Sequence, residues 1–95
     1  MPGMTVIRPA DANETSEAWA VALEHPGPVV LALTRQKLPI LARESGHVRQ
    51  GGYVLRDTSG GAPKAIVLAS GSEVAIAVEA AAQLEKDGIP TRVVS

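Results

Sequence analysis

Apolar positions along the chain change period several times, and the changes mark out its elements. Thr5–Ile7 is short and β-prone and is closed by Arg8-Pro9. Asp11 and Glu14 then stand at capping-box spacing, which predicts a helix beginning after Asp11. Ala18, Trp19, Ala22 and Leu23 fall on one helical face, and the helix is predicted to end near His25, ahead of Pro26-Gly27-Pro28. Val29–Leu33 is an unbroken apolar run of strand length, the pattern of a strand covered on both faces in a parallel sheet. Strand, helix and strand at this spacing read as a βαβ unit.

The pattern dissolves from Arg35 to about Gly52, a length of connector that is usually functional or a linker. Tyr53–Leu55 can add a short strand, and Asp57–Pro63 reads as turn and hinge. The βαβ theme then repeats. Ala65–Ala69 is a second buried-type strand, and Ser70 with Glu73 has the spacing of another capping box. Val74, Ala77, Val78, Ala81 and Leu84 line one helical face, with Gly88 and Pro90 as the stop. Thr91–Ser95 opens a further buried strand. A domain seldom ends there, so both ends of the chain read as internal to something longer. The expected fold class is α/β: parallel-sheet βαβ pieces from two adjoining domains, over residues 1–36 and 64–95, with 37–63 as the interdomain linker.

Composition narrows the function classes. Phe is absent and the only aromatics are Trp19 and Tyr53, so the apolar volume comes from small aliphatic side chains that each bury little area. Such a chain suits a layer packed on something larger. With nine basic and ten acidic residues the net charge is −1, and no basic cluster interleaves with aromatics, which leaves nucleic-acid binding unsupported. No apolar run is long enough to span a bilayer, and the N-terminus lacks the core of a signal peptide. The absence of cysteine removes disulfides and thiolate chemistry. A soluble, cytoplasmic protein is expected, with no membrane partner.

Candidate chemistry is sparse. Arg35 follows the apolar strand, at the carboxyl end where open α/β sheets bind ligands, and its guanidinium suits phosphate or carboxylate. A solvated loop arginine is the plainer reading of position alone. Ser70–Glu73 is better taken as a helix start than as an anion site. His25 and His47 have no carboxylate at ligand spacing, so no metal site is expected, and no nucleophile elbow is present. Trp19 reads as core, and Asp11 and Glu14 as capping residues. These residues alone do not identify a reaction.

The wording of the sequence is more specific. Thr5–Thr15 (TVIRPADANET) with Ala18-Trp19 resembles the last helical unit of the transketolase middle, pyrimidine-binding domain. Pro28–Gln36 (PVVLALTRQ) resembles the next strand with its phosphate-reading arginine, and Gly51–Leu55 is similar to the interdomain segment. Ala69–Val74 and Arg92–Ser95 resemble the opening of the C-terminal domain. The resemblance implies a piece of an enzyme that moves a two-carbon ketol unit between sugar phosphates. Such an enzyme uses thiamine diphosphate and Mg2+ or Ca2+, as a homodimer in the pentose phosphate pathway. It implies Arg35 as the substrate-binding residue, and no catalytic, cofactor-binding or metal-binding residue within the chain. The family's Gly-Asp-Gly diphosphate motif is absent. The isolated chain is therefore expected to be inactive. Deoxyxylulose-phosphate synthase and the 2-oxoacid dehydrogenase β component share the architecture, but the pairing of Arg-Pro-Ala-Asp with Thr-Arg-Gln favours transketolase. A non-catalytic docking or anion-binding module is the remaining alternative.

Overall fold

A computed structural model describes residues 2–43 and 47–95. Strand β1 (Thr5–Ile7) and strand β2 (Val29–Leu31) lie parallel, with Thr5 opposite Val29 and Ile7 opposite Leu31, and helix α1 (Ala12–Glu24) crosses between them. After a 3₁₀ turn at Val48–Gln50, strands β3 (Val54–Arg56), β4 (Ala65–Leu68) and β5 (Thr91–Val94) form a second sheet in the order β3-β5-β4. Helix α2 (Glu73–Lys86) joins β4 to β5, which run parallel, while β3 pairs antiparallel to β5. Both expected parallel βαβ units are present. The antiparallel strand comes from the stretch expected to link them.

The helix boundaries follow from local chemistry. The Asp11 carboxylate accepts the Glu14 N–H at 2.8 Å, satisfying one of the helix's unpaired donors. At the other end His25 is extended (φ −74°, ψ 133°), the conformation imposed by the proline that follows it. The start of α2 differs from expectation. Gly71 takes a left-handed turn (φ 60°), and Ser72, two residues past Ser70, becomes the N-cap without a side-chain bond. Ser70 and Glu73 thus form no capping box, because both side chains serve as acceptors for Arg8.

The core sits mainly in the second unit. Ala10, Tyr53, Leu55 and Val74 form one buried cluster, and Ala77, Ala81 and Val93 form another. The sheets are covered on one side. Val30, Ile66 and Leu68 stay exposed, up to 75% for Leu68, although their unbroken apolar runs predict cover on both faces. Trp19 and Leu23 are likewise on the surface rather than in the core, at 55% and 83% exposure. Of the face predicted apolar, Ala18 is buried, but Trp19 and Leu23 have no covering layer among the described residues; the other buried residue of this helix is Glu14.

Candidate functional site

The carboxyl ends of β1 and β2 open side by side, and each continues into a segment that walls a cleft. The larger cleft, about 410 Å3, lies between Pro9, Asp11, Ala12 and Thr15 on one side and Leu33, Thr34, Gln36 and Leu38 on the other. A second, about 330 Å3, joins Arg8, Pro9 and Ala32–Thr34 to Gly71 and Ser72 at the start of α2. β2 is shorter than the apolar run that predicts it: the ladder closes with the Ala32 N–H donating to Ile7 O at 2.9 Å. Leu33 and Thr34 are thereby freed to line the cleft.

Arg35 stands at the tip of the bend that follows. The Thr34 hydroxyl accepts the Gln36 N–H at 3.2 Å, a local turn that presents residue 35 outward. Arg35 is exposed, and the ion pairs among the described residues are made by other arginines. It does not line the cleft itself; its two neighbours do. Several other arginines pair with carboxylates away from the larger cleft. Arg43 makes a two-pronged contact to Glu17 at 2.8 and 3.0 Å, and Arg49 pairs with Glu24. The Arg43 bond, aided by the Val48 N–H and opposed by burial, holds the Glu17 carboxyl down at about 2. His25 caps α1 with its ring 3.1 Å from the Thr5 hydroxyl, and the His47 ring lies 3.5 Å from Glu17.

Sequence reasoning missed a buried polar hub. Glu14 accepts from the Tyr53 hydroxyl at 2.7 Å, the Ser95 hydroxyl at 2.8 Å and the Ala10 N–H at 3.2 Å. It thus joins α1 to the end of the β3–β5 pair, where Tyr53 and Ser95 are bonded to each other. Burial, reinforced by Glu14 and opposed by Arg43, pushes the Tyr53 phenol up to about 12. The only advance signal was the Asp11–Glu14 spacing, and that pointed to capping alone.

Two βαβ units meeting near their carboxyl edges, with an exposed guanidinium on the rim, have the layout of an open-sheet α/β protein. Residues 1–40 match the family described as the transketolase pyrimidine binding domain, and residues 51–95 the transketolase-like C-terminal domain. The chain is 54% identical to a transketolase of Staphylococcus aureus and 48% identical to that of Geobacillus stearothermophilus, in each case over its whole length. It spans 15% of those relatives. Among solved structures, transketolase from Campylobacter jejuni superposes with a TM-score of 0.93 at 42% identity, covering 100% of this chain and 15% of that one. A Pichia stipitis transketolase complex with sedoheptulose 7-phosphate gives 0.85 at 44%, covering 99% and 14%. A split-gene transketolase described as an inactive β4 tetramer gives 0.84 at 36%, covering 99% and 30%. The chain belongs to the transketolase family and is a segment of such an enzyme.

The residues here do not fit the thiamine diphosphate that the family implies. The buried Glu14 is engaged by three donors, and Asp11 by the Glu14 and Leu41 N–H groups. Among the described residues no group of three His, Asp or Glu gathers to hold a cation. No helix of the described residues is long and apolar enough to cross a membrane.

Proposed function

We propose that the chain forms the junction between the pyrimidine-binding and C-terminal domains of a cytoplasmic transketolase of the pentose phosphate pathway. That enzyme transfers a two-carbon ketol unit between sugar phosphates with thiamine diphosphate and Mg2+ or Ca2+, as a homodimer. We place the end of the first domain at residues 1–36, the connector at 37–63 and the start of the second at 64–95. The segment's own contribution is Arg35, which holds the phosphate of the substrate. The observation that carries this reading is an exposed guanidinium on a turn beside the cleft at the carboxyl edge of a parallel sheet. A fixed cation there binds the remote anionic end and helps orient the reacting carbonyl.

The test is Arg35→Ala in the full-length enzyme. Loss of one charge-assisted contact is worth about 1.5–3 kcal/mol, so KM for phosphorylated substrates should rise roughly ten- to hundredfold. An unchanged KM removes Arg35 from the substrate site. The 95-residue chain by itself should neither transfer ketol units nor bind thiamine diphosphate, and calorimetric titration with the cofactor checks this. The inactive split-gene tetramer, of which this chain covers 30%, supports that expectation.

A further inference from the structure

Arg8 sits one residue past β1 and touches the second unit through both its backbone and its side chain. Its carbonyl accepts the Gly71 N–H at 3.0 Å, while its guanidinium donates to the Ser70 hydroxyl at 3.0 Å and the Glu73 carboxylate at 3.1 Å. Gly71 is the residue this arrangement requires. Its φ of 60° disfavours any side chain, and a Cβ there would meet the Arg8 guanidinium at 3.1 Å. The side chains of the ion pair are 46% and 58% exposed, and a pair so wetted adds little to stability. What a planar fork does add is orientation, because its donors meet two acceptors at a fixed angle.

The consequence lies across the smaller cleft. Arg8 and Pro9 form one wall, Gly71 and Ser72 another, and Leu33 and Thr34 a third. Thr34 in turn accepts the hydrogen bond that shapes the bend at Arg35. We propose that Arg8 is a positioning residue for the anionic end of the substrate. It fastens the start of α2 to the carboxyl edge of the β1–β2 sheet and so fixes the bend that presents Arg35. This rests on the assignment of Arg35 to the substrate phosphate.

The test compares two acceptors in the full-length enzyme, a phosphorylated aldose and a short unphosphorylated aldehyde. For Arg8→Ala, KM for the phosphorylated acceptor should rise about three- to tenfold with kcat within about twofold, and kcat/KM for the unphosphorylated one should fall less. Gly71→Ala, which crowds the guanidinium, and Glu73→Gln, which removes the charge, should shift the ratio in the same direction. They decide the matter if Arg8→Ala does not fold. Parallel losses with both acceptors, or no change in folded variants, would overturn the proposal. Arg35→Ala is measured alongside. A flat response there overturns the phosphate assignment itself, whereas a normal Arg35 effect with a flat Arg8 series removes Arg8 alone.

Discussion

The two βαβ units look alike in outline and are held together by different forces. Helix α2 lies on its sheet through Val74, Ala77 and Ala81, with Val93 of β5 fully buried beneath it. Helix α1 buries Ala18 and, beside it, the carboxylates of Asp11 and Glu14. Its acidic side chains do what apolar ones do in the second unit. Asp11 receives the Leu41 N–H, Glu17 grips Arg43 and the Val48 N–H, Glu24 meets Arg49, and Glu14 takes the Tyr53 hydroxyl. A helix that fastens an irregular segment needs directional partners, because that segment has no periodic face to bury. The cleft at the carboxyl edge of β1 and β2 thus belongs to the unit held by polar contacts, and the anchoring core to the unit held by burial.

Breaking the buried side should cost the most. Leu55 on β3 is fully buried within the cluster of Ala10, Tyr53 and Val74. Leu55→Ala should lower stability by about 2–5 kcal/mol through lost burial and the cavity left behind. Urea denaturation of the 95-residue chain measures it. A loss no larger than that of the polar variants below would mean that the two units do not differ in the way argued here.

Tyr53 belongs to both systems, with its ring in the core and its hydroxyl on Glu14. Tyr53→Phe keeps the ring and should cost about 1–2 kcal/mol, since Glu14 retains Ser95 and Ala10 as donors. Tyr53 is the only tyrosine, so its ionisation can be followed by ultraviolet absorbance. It should titrate near 12 rather than 10. Because the folded value is the higher one, this contribution is complete below pH 10 and is lost as the pH rises through 12. A midpoint at 10 would place the hydroxyl in water.

How much of this was legible in the sequence depends on the range of the interaction. Asp11 capping α1, the Pro26-Gly27-Pro28 stop and the face from Val74 to Ala81 follow from neighbours a few positions apart, and both parallel pairings from the order of strand, helix and strand within about 30 residues. The Arg8 contact to Ser70 and Glu73 spans more than sixty positions and overrode a local capping pattern. Glu14 meeting Ser95 spans nearly the whole chain. Neither leaves a periodic trace. Trp19 and Leu23 were misplaced because an apolar face shows that something covers it, without showing that the cover lies in the same chain. Arg35 was placed by the strand-end rule, and its phosphate role came from resemblance rather than from spacing.

The smallest effects come from the ion pairs along α1, and their inequality refines the comparison. Glu17 and Arg43 are mostly shielded, with side-chain exposures of 27% and 19%, and their contact is two-pronged. Arg43→Ala should cost about 1 kcal/mol. Since the folded Glu17 value lies near 2 against an ordinary 4.5, the pair's contribution is present above pH 4.5 and fades as the pH falls toward 2. Arg49 and Glu24, at 61% and 58% exposure, should contribute nothing measurable, and any effect of Arg49→Ala should vanish in salt. Acid and salt titrations of the two variants separate the cases. If both pairs respond to salt alike and neither to acid, α1 is not fastened by Glu17, and the polar unit must be held by Asp11 and Glu14.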